Sequence, residues 1–193
     1  VFWAILKWEN VADRPGSDRW LIFIGYLMGL SIGVHLLNLL AIPAIVLVYY
    51  FRNYKPSTKG VVLAMSTAVV ILGVVLYGII PGFVEVASWF ELFFVNTLGF
   101  SFNTGLFIYI LLTLAALAWG LHETYNEKNY VRMAISFIVA FTLVGIPFFG
   151  SHIVLGLIIV AGMTYFFFAK REKINTRWLN TALAMITVIL IGY

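Results

Sequence analysis

His35 and Asn38, three residues apart in SIGVHLLNLL, are the first groups in the chain suited to holding a polar ligand. Both stand inside a long apolar run, where an imidazole and a carboxamide are costly unless partnered. An imidazole can carry a proton or face an anion, and a carboxamide donates and accepts at once. Four further residues share such chemistry: Glu91 in WFELFF, Asn96 and Asn103 in NTLGFSFNTG, and His152 after Gly150 and Ser151. Each also has a plain structural reading. His35 could close a helix end, Asn38 could bond between helices, Glu91 could be a buried partner, and His152 could cap a turn. Asn96 and Asn103 lie beside Gly99 and Gly105, as turn residues do. Glu85 reads as a solvated acid and His122 as a loop residue. His35, Asn38, Glu91, Asn96, Asn103 and His152 form the candidate substrate-binding set; none is assigned a catalytic role, and no metal ligand is assigned.

The elements that must position them follow from composition. The chain is 63% hydrophobic and 10% charged, where a soluble domain carries about 25% charged residues. Successive apolar runs of bilayer-crossing length define a polytopic helical membrane protein. The short alternating segments of an outer-membrane barrel are absent. With no cysteine, disulfides and thiolate metal sites are excluded. The basic balance, pI about 9.4, points to loop decoration at a membrane rather than to nucleic acid. No phosphate-cradling glycine loop, H-E-x-x-H or G-x-S-x-G occurs. The polar breaks KWENVADRPGSDRW, FRNYKPSTKG, HETYNEKNYVR and AKREKINTRW are too short to form a nucleotide-binding domain. Any group transfer therefore requires a donor carried by lipid or already exported.

The basic residues set the topology. Between Arg19 and Arg52 lie 32 residues, and between Arg132 and Lys170 lie 37, both too long for one span of about 20. If each run were a single tilted helix, the 12 Lys and Arg would divide as 7 and 5. If each is a hairpin of two short helices, all 12 fall on one side, which the retention of Lys and Arg in the cytoplasm strongly favours. Gly33 with Pro43, and Gly145 with Pro147 and Gly150, supply the bends. The expected map is one transmembrane domain over 1–193, with helices at 20–34, 36–51, 61–80, 105–120, 133–146, 151–169 and 178–193. An outer interfacial segment covers 81–104. On this map the candidate set lies on the outer face of a plasma membrane. The apolar ends VFWAILKW and VILIGY lead us to expect a piece of a larger protein.

Three stretches carry a family likeness: ILKWENVADRPGSDRWLIFIGYLMGLSIGVHLLNLLAIPAIVLVYYF, LYGIIPGFVEVASWFELFFVNTLGFSFNTG and ISFIVAFTLVGIPFFGSH. They resemble the bacterial inner-membrane family catalogued as "domain of unknown function 2723", regarded as protein O-mannosyltransferase-like. The resemblance implies an all-α helical bundle of the GT-C glycosyltransferase type. It also implies transfer of a sugar, mannose being the candidate, from a polyprenyl-phosphate donor to hydroxyls of exported protein. Membrane lipid, the lipid-linked sugar and the protein acceptor are the implied partners; nucleic acid is not among them. The family's Trp-Asp-Cys-Gly-Glu-Phe-like motif, which holds its presumed catalytic acid, and its His-Pro-Pro-Gly motif do not occur here. The base is therefore expected upstream, and this piece alone is expected to be inactive. No cofactor is assigned, a divalent cation in the whole enzyme being left open. Two other readings compete: a transporter or lipid-linked-sugar flippase using His35, Glu91 and His152 as a path, and a structural membrane scaffold.

Overall fold

The computed structural model describes residues 1–126 and 128–192. Among the described residues nine α-helices follow one another: α1 (Phe2–Val11), α2 (Asp18–Val34), α3 (Ala41–Asn53), α4 (Thr58–Gly73), α5 (Ile80–Leu92), α6 (Thr104–Asn126), α7 (Tyr130–Leu143), α8 (Ile153–Ala169) and α9 (Thr176–Gly192). Among the described residues there is no strand, so the protein is an all-α helical bundle. Three helical stretches are long and apolar enough to cross a membrane: Leu36–Asn53, Thr58–Thr97 and Thr104–Asn126; α7, α8 and α9 are shorter apolar helices. The chain divides into two compact units, Val1–Gly73 with Ala184–Tyr193, and Val74–Leu183.

In the first unit the chain goes out along α2 and returns along α3. The indole of Trp8 stacks on Tyr49, with ring centroids 5.7 Å apart, and Arg52 pairs with Asp13. Residues before α2 and at the end of α3 therefore meet, as a hairpin requires. The reversal falls at His35, whose extended backbone (φ −158°, ψ 114°) ends α2; a 3-10 turn, Leu36–Leu40, then leads into α3. Pro43 sits in the first turn of α3, where a missing N–H costs nothing. The helix expected over 36–51 thus begins with five residues of 3-10 geometry. Gly25 and Gly29 form one face of α2 that meets α9, and a methyl at Gly29 would lie 2.5 Å from the Ile189 carbonyl oxygen. Small residues four apart let two helix backbones approach this closely.

In the second unit the reversal lies between α7 and α8. The Tyr130 hydroxyl donates to the Phe167 carbonyl at 2.5 Å, and the Arg171 guanidinium lies 4.3 Å from the Tyr130 ring centroid. The start of α7 and the end of α8 therefore meet, and a 3-10 turn over Ile146–Ser151 makes the bend. Gly145 precedes that turn in the left-handed region, φ +88°.

The largest departure from the expected map concerns 81–104. A separate segment after residue 80 is not what forms: Thr58–Thr97 is one helical stretch of 40 residues. Proline inside a helix removes one hydrogen bond and crowds the carbonyl four residues back. Here Pro81 stands two residues after the end of a π-helical segment, Val74–Ile79, whose wider turn accommodates the ring without ending the helix. A second π segment, Phe93–Thr97, closes the stretch, and 98–103 form the turn into α6. Elsewhere the ends move by a few residues. α2 starts at 18 rather than 20, α6 runs to 126 rather than 120, α7 spans 130–143 rather than 133–146, α8 starts at 153, and α9 at 176. The expected last residue of the final helix, Tyr193, lies outside the described residues.

The core of the second unit gathers Val86, Ala87, Tyr109 and Phe148, with Phe83, Trp89 and Phe90 packed around them. Tyr109 is fully buried and donates its hydroxyl hydrogen to the Leu143 carbonyl at 2.7 Å. That bond satisfies the one polar atom of the ring, as burial demands.

Candidate functional site

His35 and Asn38 come together at the α2–α3 reversal, and the Ser31 carbonyl joins them. It accepts the backbone N–H of His35 at 2.7 Å and the Asn38 Nδ2–H at 3.4 Å. The His35 Nδ1 accepts the Leu37 backbone N–H at 3.2 Å, capping the 3-10 turn. With Nδ1 accepting, the neutral ring carries its hydrogen on Nε2. Both side chains are exposed, so the pair offers outward the His35 Nε2–H and the second Asn38 Nδ2–H as donors and Asn38 Oδ1 as an acceptor. Around them Val34, Leu36, Leu37 and Leu40 are also exposed. The tip is therefore an apolar surface bearing a few polar donor and acceptor atoms, a pattern suited to an amphiphile with a polar head.

Glu91 does something different. Its Oε1 accepts the Asn103 backbone N–H at 2.6 Å and its Oε2 accepts that of Leu106 at 3.0 Å. The carboxylate thus caps the N-terminus of α6 from the end of α5, where helix N–H groups lack partners and negative charge is favoured. Asn103 lies next to it in the left-handed region, φ 69°, which asparagine tolerates better than most residues. Both oxygens of Glu91 are engaged, so its structural role is to hold the 98–103 turn against α5. Glu91→Ala is expected to lower stability by about 1–2 kcal/mol, the usual worth of a helix cap, and Glu91→Gln by less, because one acceptor oxygen remains. Thermal unfolding of both variants in detergent checks the order, and equal midpoints for Glu91→Ala and the parent would contradict it.

Asn96 is exposed in the π segment before this turn. His152 is exposed at the N-cap of α8, where its carbonyl accepts the Gly156 N–H at 2.9 Å. With Ile153, Val154, Leu155 and Ile158 it lines an open groove of about 430 Å³. Glu85, expected as a solvated acid, accepts the Trp89 indole N–H at 3.0 Å one helical turn on. Among the described residues no three His, Asp or Glu side chains converge on a point where a metal could bind. The structure therefore groups His35 with Asn38, and Glu91 with Asn103.

One polar cluster escaped the sequence reading. Glu123, placed in a solvated loop by its neighbours HETYNEK, sits on α6 at 3% exposure. It pairs with Arg132 of α7 and accepts the Trp119 indole N–H at 3.3 Å. Beside it the buried Thr124 hydroxyl donates to the Gly120 carbonyl and accepts from Asn180 Nδ2 at 2.8 Å. The signal was the spacing: Glu123 follows Trp119 and Gly120 by four and three residues, which puts it on the same helix face as that apolar pair. At the first residue of α7, burial pushes the Tyr130 phenol up, opposed by the positive charge of Arg171.

An all-α bundle with membrane-crossing helices and a polar pair exposed at an apolar reversal defines a helical membrane protein. The class narrows with the family comparison. Residues 1–58, from α1 to the start of α4, match the family model described as the Protein O-mannosyl-transferase TMEM260 N-terminal domain, so this part of the chain is similar to an O-mannosyltransferase-like membrane family. No curated protein and no solved structure matches the chain.

Proposed function

We propose that this chain is part of a GT-C-type membrane glycosyltransferase. It passes a sugar, with mannose the candidate, from a polyprenyl-phosphate donor to hydroxyls of exported protein. The observation that carries the reading is the family match over residues 1–58, the segment that folds into α1–α3 and presents His35 and Asn38 together. In this reading the basic ends of both hairpins face the cytoplasm of a plasma membrane, following the retention of Lys and Arg, and the His35 tip faces outward.

Transfer of this kind breaks the anomeric carbon–oxygen bond to phosphate as the acceptor oxygen forms its own bond to that carbon. The polyprenyl phosphate leaves with the bonding electrons, and a carboxylate takes the acceptor's proton. His35 Nε2–H bonds a phosphate oxygen of the donor, and Asn38 Oδ1 accepts from a sugar hydroxyl. Glu91 positions the acceptor through the 98–103 turn, because both its oxygens are already bonded to backbone N–H groups. Asn96, Asn103 and His152, all in the 74–183 unit, are further exposed polar groups that we assign to substrate contact.

The test is sugar transfer by the full-length protein from a polyprenyl-phosphate sugar. A hydrogen bond to a charged oxygen contributes about 1.5–3 kcal/mol, so His35→Ala is expected to slow turnover by about 10- to 100-fold without altering the unfolding midpoint. Asn38→Ala is expected to raise KM more than it lowers kcat. Unchanged turnover in both variants would overturn the assignment. Substrate uptake into proteoliposomes without any glycosyl product would replace the transferase by a transporter.

A further inference from the structure

At the basic end of the first hairpin, about 20 Å from His35 along α3 by helix rise, lies a groove that the transferase reading does not use. It has a volume of about 560 Å³ and runs between α3 and α4, within the range of small-ligand sites. Val46, Leu63 and Ala64 form its apolar wall, and Tyr49 and Tyr54 its aromatic flank. Lys55 closes the polar end.

The shape is built and fixed. Tyr50 organises it: its hydroxyl accepts the Ser57 N–H at 3.0 Å and lies 3.3 Å from the Lys55 carbonyl, which winds the 54–57 turn around the ring. Tyr54 stacks on Tyr50 at 5.9 Å and 16°. Gly60 on α4 leaves the space that the Tyr50 ring fills, since a side chain there would overlap it. Lys55 is thereby held where the apolar wall ends.

The charge at that end is unbalanced. Arg52, three residues before, pairs with Asp13. Among the described residues no carboxylate pairs with Lys55 or with Lys59, and both are exposed. An apolar cleft between two membrane helices, flanked by tyrosines and ending at the uncompensated ammonium of Lys55, is complementary to one kind of molecule: an acyl chain ending in an anionic phosphate headgroup.

We infer that the α3–α4 groove binds an anionic phospholipid of the surrounding bilayer, its acyl chain along Val46, Leu63 and Ala64 and its phosphate at Lys55. A zwitterionic phospholipid brings its own cation to the same place and gains less. The site stands independently of the transferase reading, because Lys55 does not belong to the proposed donor pocket.

The test is native mass spectrometry of the chain in detergent, titrated with phosphatidylglycerol and, separately, phosphatidylcholine of the same acyl chains. A basic group at an anionic headgroup favours phosphatidylglycerol by about fivefold. Lys55→Glu removes that preference, and Lys55→Arg retains it; both substitutions are on an exposed side chain and leave the fold intact. Equal binding of the two lipids by the parent overturns the inference, as does a preference that survives Lys55→Glu. Displacement of phosphatidylglycerol by equimolar inorganic phosphate would reduce the site to an anion site without a lipid, and overturns it too.

Discussion

Replacing Gly82 with valine is expected to lower the stability of the 74–183 unit by about 3 kcal/mol, the upper part of the range for overpacking. A side chain at Gly82 would place its first carbon 2.6 Å from the Gly145 carbonyl carbon, and backbone cannot yield as a flexible side-chain tip does. Gly145 has the reciprocal constraint. Its Cβ would overlap the Gly82 carbonyl, and its φ of +88° strains any L side chain. The two glycines are where α5 crosses the turn that follows α7, so a separation there pulls apart the packing of Phe148 on Trp89, whose rings lie 5.3 Å apart. Gly73→Ala is the matched control. No atom lies within 4 Å of a methyl at that position, so helix propensity decides, and alanine gains up to about 1 kcal/mol. Unfolding followed by tryptophan fluorescence in detergent should move the two midpoints in opposite directions. A Gly82→Val midpoint equal to that of the parent would mean that the crossing is not close.

The second large effect is expected at Arg132. Removing its guanidinium leaves Glu123 at 3% exposure without its cationic partner. A buried charge stripped of its partner typically costs about 3–5 kcal/mol. The Trp119 indole still donates to Glu123 Oε1, and Arg132 is itself well exposed, so we expect Arg132→Met to fall near the low end, about 3 kcal/mol. Glu123→Gln costs less, since Arg132 remains solvated when its partner goes. The double variant, Glu123→Gln with Arg132→Met, should recover much of the loss of the single Arg132→Met change, because the uncompensated charge is then absent. Strict additivity of the two single effects in denaturation midpoints would show that the pair contributes no coupling.

How legible was this protein in its residues? Hydropathy and length gave the helical membrane class, because no other spanning structure satisfies backbone hydrogen bonds in lipid without the alternation of a barrel. The distribution of lysine and arginine gave the two reversals. Both are visible in side-chain contacts: Trp8 with Tyr49 and Arg52 with Asp13 in one, Tyr130 with Phe167 and Arg171 in the other. His35 and Asn38 could be paired in advance, since three residues in a tight turn cannot be far apart.

Other features were invisible because they depend on distant partners. Proline at 81 reads as a helix end; that the helix continues rests on π-helical widening over Val74–Ile79, where Val75, Gly78 and Ile79 are buried. Glu91 read as an even choice between site and scaffold, and only the approach of α6 to the end of α5 shows both its oxygens occupied. Glu123 looked solvated because its sequence neighbours are charged, whereas burial is set by what packs on one helix face. The close approach at Gly25 and Gly29 of α2 likewise depends on a distant partner, which α9 supplies. The amino-acid sequence by itself determined the solvent this protein folds in and where its chain reverses, since both follow from transfer free energies and local backbone preference. Tertiary structure alone decided which polar groups are spent on holding helices together and which face outward, because a hydrogen bond between residues dozens of positions apart leaves no mark on either one's surroundings in the chain.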